Sequence, residues 1–186
     1  MRVVAGKFKG CNLFSISSSK VRPTADATKE RIFSIIGSCQ GKKALDLFAG
    51  FGGLGLEAIS REAAFVQFVD TSSASLAVVK KNIAKLQVSS LCQITKMKAE
   101  SFLKSCSKRF DIIFLDPPYN FNLVNPTINL ISKKKLLTPK GIIVIEHSPK
   151  EAITSEDFTI FKIRKTGNTM LTFLERKAGE VKKEEK

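Results

Sequence analysis

Two short runs constrain the fold of this chain more than anything else in it. Phe110-Asp111-Ile112-Ile113-Phe114-Leu115 and Gly141-Ile142-Ile143-Val144-Ile145-Glu146 are apolar at almost every position. A strand with one face in water alternates apolar and polar residues. A strand apolar on both faces is covered on both, as in the centre of a parallel sheet. The surrounding segments agree with that. Residues 44–48, 65–69 and 91–95 read as further short strands. Residues 54–61, 74–86 (Leu76, Val79, Ile83, Leu86), 100–106 and 123–131 carry helical spacing. The chain closes with two alternating runs, 158–164 and 170–176, joined near Gly167-Asn168 as a hairpin. This β-α-β rhythm predicts an α/β architecture. Seven strands form a mostly parallel sheet with helices on both faces and a terminal antiparallel hairpin.

Two flanks lie outside the rhythm. Residues 1–14 predict a small β-hairpin turning near Ala5-Gly6 or Lys9-Gly10. Residues 15–23 are Ser-rich and end at Arg22-Pro23. Thr24 or Asp26 then caps a helix running to about Ile36. The length of 186 residues predicts one domain. Within it, 1–37 is an N-terminal hairpin-and-helix extension, 38–176 the sheet-bearing body and 177–186 a charged tail. No apolar run approaches the roughly 18 residues of a membrane span, and the N-terminus lacks a signal peptide's apolar stretch. A cytoplasmic monomer without membrane contact is the expectation.

The charge bears on partners. Lys and Arg number 31 against 17 Asp and Glu, a net +14. Residues 1–43 hold nine of the basic residues and two of the acidic ones, half the excess in under a quarter of the length. Concentrated positive charge is the footprint of a nucleic-acid binder. A hairpin presenting Arg2, Lys7 and Lys9, with Arg22, Thr24 and Lys29 after it, predicts a cationic RNA-binding face beside the functional pocket. The alternative is a structural lid whose charges face water. Cys11, Cys39, Cys92 and Cys106 are scattered, and there is one histidine, so no zinc site is expected.

The glycine-rich segment Leu45-Asp46-Leu47-Phe48-Ala49-Gly50-Phe51-Gly52-Gly53-Leu54-Gly55 links the first strand to a helix. In an α/β sheet this is where ligands bind, and glycines let backbone approach a ligand closely. Asp70 ends the next strand, 20 residues after Gly50, where a carboxylate can accept from the ribose hydroxyls of an adenosine cofactor. Spacing alone leaves NAD and S-adenosylmethionine both open. Acids near the loop lean against a pyrophosphate. Asp46, at a strand end, suits a positively charged ligand. Glu57 reads as a first-turn helix acid favoured by the macrodipole.

Asp116-Pro117-Pro118-Tyr119 directly follows the buried strand at 110–115. Two prolines fix φ and remove two N–H donors, holding the Pro117 carbonyl away from regular pairing. The Asp116 side chain and that carbonyl then form a rigid pair of acceptors for one NH₂ group. Tyr119 offers a face on which a planar base stacks. Acceptors on an exocyclic amine localise its lone pair and stabilise the charge that grows as it attacks an electrophile. His147 follows the last buried strand, but this chemistry needs no separate base.

With these motifs in view, the chain resembles the RsmD-type bacterial methyltransferases, which modify a guanine N2 in small-subunit (16S) ribosomal RNA. The resemblance rests on RVVAGKFKG at the start, RPTADATKERIF at 22–33, DLFAGFGGLGLEAISR at 46–61 and DPPY at 116–119. It implies a Rossmann-like class I fold with S-adenosylmethionine as cofactor and 16S RNA or the small ribosomal subunit as partner. It further implies that Gly50, Gly52 and Gly55 line the cofactor and Asp70 holds its ribose. The loop around Ala99 then takes the adenine, and Asp116 through Tyr119 bind the target amine. Lys98 stands where relatives often carry Asp or Asn, and Phe51 where they often carry Ser or Thr. An acceptor-only carboxylate suits guanine, whose N2 amine neighbours the N1–H donor. Two readings stand beside this one. One is a DNA or other RNA amino-methyltransferase acting on adenine N6, and the other is a non-catalytic ribosome-assembly factor.

Overall fold

The computed structural model describes residues 1–16, 26–118 and 121–177. Helix α1 (Asp26–Ile36) precedes a sheet built from β1 (Lys43–Leu47), β2 (Phe65–Asp70), β3 (Cys92–Lys96), β4 (Phe110–Leu115), β5 (Leu137–His147), β6 (Phe158–Thr166) and β7 (Thr169–Arg176). Helices α2 (Gly53–Ser60), α3 (Ser73–Leu86), α4 (Ala99–Ser105) and α5 (Val124–Lys133) connect the first five strands. The strand order is β3-β2-β1-β4-β5-β7-β6. β1 through β5 run parallel, while β7 lies antiparallel between β5 and β6. This is the expected mostly parallel seven-stranded sheet with its terminal hairpin. The order reverses at β1, because the chain goes first to β2 and β3 and then crosses to β4. The carboxyl ends of β1 and β4 therefore open the crevice where such sheets bind ligands.

Strand alternation divides the core in two. Ala44, Ile112, Phe114 and Val144 face a cluster shared with Ile32, Phe33 and Ile36 of α1 and with residues of α2 and α3. Leu45, Leu47, Ile113, Leu115, Ile143 and Ile145 face Phe102 and Leu103 of α4 and Val124, Ile128 and Ile131 of α5. Both faces of β1 and β4 are covered, which explains their unbroken apolar runs. The helix expected from Thr24 or Asp26 to Ile36 occupies Asp26–Ile36. Its Phe33 ring lies 5.8 Å from that of Phe114.

The N-terminus differs from the hairpin expected. Arg2 and Asn12 form a single antiparallel bridge, closed by Val3 N–H to Cys11 O at 3.0 Å and Leu13 N–H to Met1 O at 2.8 Å. Gly6 and Gly10 both take φ +83°, so the chain turns at both expected sites and no regular strand forms. Distant contacts hold this loop. Glu57 is the fifth residue of α2, not a first-turn acid, and it is 1% exposed. Its carboxylate accepts from Val4 N–H at 2.8 Å, Ala5 N–H at 2.9 Å and Arg61 Nε at 2.9 Å. Two amides and a guanidinium compensate a charge that burial would otherwise make costly. A Cβ on Gly6 would sit 1.9 Å from Ser60 O, so the loop lies directly on the end of α2.

Gly55 sets how closely α2 packs on the sheet. A Cβ there would lie 2.3 Å from Phe68 Cε1 and 2.9 Å from Val66 Cγ1. Both neighbours are fully buried, so neither moves aside freely. Gly55→Ala is expected to cost about 1–3 kcal/mol by overpacking, read as a lower urea midpoint with an unchanged m-value.

Candidate active site

Three acids reach the carboxyl rim of the sheet on one face. Asp46 is level with Phe114 across β1 and β4, and Leu115 is level with Ile145 across β4 and β5. Asp116 follows β4 immediately, and Glu146 is the next-to-last residue of β5. Alternation puts all three on the α1 side, on strands about 4.8 Å apart. Burial pushes the Asp46 carboxyl up to about 7, against the Gly55 N–H that donates to its Oδ2 at 2.8 Å and with the Asp70 charge adding to the rise. Burial raises Asp116 well above the ordinary carboxylate range, and the charges of Glu146 and then Asp46 raise it further. A carboxylate in such a place has a raised proton affinity, so in its ionised form it readily takes up a proton.

Glu146 was not among the residues singled out from sequence. Its Oε1 accepts from Thr169 Oγ1 at 3.1 Å, across from the first residue of β7. The signal was present in the chain, because the strand ends read Leu45-Asp46, Leu115-Asp116 and Ile145-Glu146, each an acid after an apolar run.

The glycine loop is braced by the acids beside it. Asp70 Oδ2 accepts from Gly50 N–H and Asp70 Oδ1 from Ser72 N–H, both at 2.8 Å. Each oxygen keeps a second lone pair for a hydroxyl. Gly50 takes φ +51° and Gly52 φ +80°. The side-chain positions of Gly52 and Gly55 point inward, to Phe68 and Val79 or Val66. The missing side chains of these two glycines therefore serve helix–sheet approach. Phe51 is also inward, 4% exposed. Met97 N–H donates to Asp70 O at 3.0 Å, which brings the half-buried Ala99 to the same rim as Asp70, with Lys98 exposed between them. A strand-end acid with acceptor capacity to spare, a tight loop and a buried strand-end carboxylate fit an adenosine cofactor with positive charge.

Pro117 is buried and Pro118 exposed, so the motif passes from the core to the rim within two residues. Tyr119, Arg22, Pro23, Thr24 and the tail beyond residue 177 lie outside the described residues. His147 is buried, with Nδ1 donating to Ser148 O at 2.9 Å and Nε2 2.8 Å from Thr172 Oγ1.

Among the described residues, the cations expected to form an N-terminal face are not beside this site. Lys29 is fully buried; its Nζ donates to Arg2 O and lies 3.1 Å from Asp26 Oδ1. Arg2 is paired with Asp26 at 2.6 Å. Lys7 and Lys9 are exposed, but Lys7 N–H donates to Ser60 O at 2.7 Å, at the far end of α2. Lys7 borders a groove with Cys39, Arg61 and Glu62, residues that lead into β1 and β2. That is the amino rim of the sheet, about 15 Å or more from Asp116 given the length of β1. The charge count was right, but charge density alone does not say which rim it occupies. Among the described residues no group of His, Cys, Asp and Glu could hold a metal ion, and no helix is long and apolar enough to cross a membrane.

Fold and site together define a methyltransferase of Rossmann-like architecture. The family model described as conserved hypothetical protein 95 matches residues 1–175, and the chain belongs to that family, the RsmD family. It is 36% identical over 172 residues to ribosomal RNA small subunit methyltransferase D of Haemophilus influenzae, covering 90% of this chain and 89% of that protein. It is 40% identical over 151 residues to the Bacillus subtilis protein YlbH, described as a candidate rRNA methyltransferase, covering 79% and 82%. A solved Escherichia coli structure, described as a candidate methyltransferase, superposes with a TM-score of 0.86 at 26% identity, covering 96% and 98%.

The buried acid gives a pH signature. Folded Asp46 holds its proton to about pH 7, while the unfolded chain releases it near 3.8. Between those values the folded state binds more protons, so stability falls as pH rises through the window. Asp46→Asn keeps an acceptor for Gly55 N–H without the charge. Its melting temperature relative to wild type should therefore climb from about pH 4 to about pH 7 and level off above. A pH-independent difference would mean that Asp46 ionises as freely folded as unfolded.

Proposed function

We infer that this chain transfers a methyl group from S-adenosylmethionine to the exocyclic N2 amine of a guanine in 16S ribosomal RNA. The observation that carries the reading is the pairing of Asp116 and Glu146 at the ends of neighbouring strands. Guanine's Watson–Crick edge offers donors at both N1 and N2, and two adjacent carboxylates make an acceptor-rich wall that matches it. An adenine amine neighbours a ring acceptor, which would face one of these carboxylates lone pair to lone pair. The curated relatives named for small-subunit RNA methylation support the RNA substrate.

Bound S-adenosylmethionine supplies an electrophilic methyl on a sulfonium. Asp70 would accept from its ribose, Gly50 and Ala99 would border it, and Asp46 would face its positive end. Asp116 and the Pro117 carbonyl would hold the target amine while Pro118 limits their motion and Tyr119 stacks on the base. As the amine bonds to the methyl and the methyl–sulfur bond breaks to leave a neutral thioether, positive charge would grow on the amine beside ionised Asp116, which would then take the released proton. Glu146 accepts from N1–H and so selects guanine. Residues 1–37 belong to the same folding unit as the body at 38–176. The protein works as a cytoplasmic monomer on the small subunit or its RNA.

Asp116→Ala is expected to lower the methyl-transfer rate by roughly 10²–10³ while S-adenosylmethionine affinity stays within a few-fold. Single-turnover rates and calorimetric titration check this. Near-normal turnover would remove Asp116 from the mechanism. Loss of cofactor affinity would make it a cofactor residue instead.

A further inference from the structure

The outermost strand of the sheet carries a surface that the site does not use. β6 ends the strand order, and among the described residues its strand partner is β7 alone. Ile160, Phe161 and Ile163 are 40%, 37% and 46% exposed. Lys162, Arg164 and Lys165 alternate among them, and no acid lies between Phe158 and Thr166. Lysines alone are a common guard against edge-to-edge pairing, but three exposed apolar side chains work against that purpose.

Register defines which way these groups face. Ile160 pairs with Leu174 and Lys162 with Phe173, so Phe161 is an extra residue bulged into the strand. Directly opposed residues share a face. Lys162 therefore lies on the side of Phe173, and Arg164, opposite Leu171, does too; both partners belong to the core beneath α1. The Phe161 ring is 6.1 Å from that of Phe173, on the same side. Asp46, Asp116 and Glu146 occupy this face as well. Arg31 of α1 adds a third cation to this face, its Nη1 donating to Lys165 O at 2.9 Å and Thr166 Oγ1 at 2.8 Å, while the Lys165 side chain alternates to the other face.

The strip also begins at the catalytic rim. Glu146 pairs with Leu171, and Leu171 pairs with Arg164. From Arg164 back to Lys162 the cations run away from the carboxylate site along the strand, about 7 Å at 3.3 Å per residue. Adjacent phosphates of a nucleic-acid strand are spaced at several ångströms, so such a row can follow a backbone leaving the pocket. Exposed Phe161 offers a ring for an unpaired base.

We propose that the β6 edge, through Lys162 and Arg164 with Phe161, is the docking surface for the RNA strand that enters the Asp116 pocket. The occupant follows from charge complementarity and from continuity with the catalytic rim. This rests on the RNA reading above and names the surface that reading leaves open.

The test compares wild type, Lys162→Gln/Arg164→Gln and Lys7→Gln/Lys9→Gln, using a transcribed small-subunit ribosomal RNA fragment at several salt concentrations. Circular dichroism checks that each variant is folded. The β6 variant is expected to bind at least about tenfold more weakly, with a salt slope flatter by about 1.5, a counterion-release contribution of somewhat under one for each of the two lost phosphate contacts. In methyl transfer its KM should rise while kcat stays within about twofold. The Lys7/Lys9 variant should keep the wild-type slope, because it changes the opposite rim. An unchanged slope in the β6 variant, or a loss carried by Lys7 and Lys9, overturns the docking surface and leaves the RNA methylation reading intact. Wild-type methyl transfer to a non-RNA acceptor without RNA binding overturns both. A wild-type dimer that dissociates in the β6 variant would mean that the edge serves a second copy of the chain.

Discussion

Everything at the site depends on two carboxylates being held at the ends of adjacent parallel strands. Asp46 and Asp116 sit at the reversal of strand order, and Glu146 extends the row onto β5. Burying carboxylates there is costly, and the raised carboxyls of Asp46 and Asp116 record it, with the neighbouring charges of Asp70 on the first and of Glu146 and Asp46 on the second adding to the rise. The fold maintains the arrangement because the acids ride on a sheet whose interior positions are otherwise apolar on both faces. A loop could relax such a cluster apart; three strands in fixed register cannot. This tension is useful for a reaction that creates positive charge and then sheds a proton.

The same rim explains the bracing of the glycine loop. Asp70 ties Gly50, and Asp46 ties Gly55, each through a backbone N–H at 2.8 Å. The loop is thus fastened at both ends by acids, and α2 starts from a fixed point. The far end of α2 carries the N-terminal loop through Glu57 and Ser60. Asn82 of α3 pins the departing chain, accepting from Phe14 N–H at 2.7 Å and donating to Phe14 O at 3.1 Å. The N-terminal residues are therefore structural parts of the α1–α3 layer as well as carriers of charge.

Much of this was legible in the sequence, and the gaps have physical causes. The strand at 110–115 was read to the residue, because burial on both faces leaves an unbroken apolar run with a proline stop after Asp116. β5 was read as 141–146 but spans Leu137–His147. Pro139 and Lys140 disguise its first part, where Leu137 pairs with Phe110 across a register shift. Asp46, Asp70 and Asp116 were recognisable from strand ends. Glu146 was not, because the strand was noted for its apolar residues and not for its final acid. Lys29 and Glu57 were misread for a common reason. Besides a local ion pair, each has backbone partners, 27 positions away for Lys29 and 52 or more for Glu57, and no local pattern announces those contacts. Gly52 and Gly55 also serve helix–sheet approach, a role that looks the same in sequence as closeness to a cofactor.

The central claim is that the Asp116–Glu146 wall selects guanine at its N2 amine. Its most direct measurement is the product itself. Small ribosomal subunits or their RNA, prepared without this activity, are incubated with the purified chain and methyl-labelled S-adenosylmethionine, and the labelled nucleoside is identified by mass spectrometry. The account predicts label in N2-methylguanosine. Label in N6-methyladenosine, or no transfer to RNA from a chain that binds the cofactor, would contradict it.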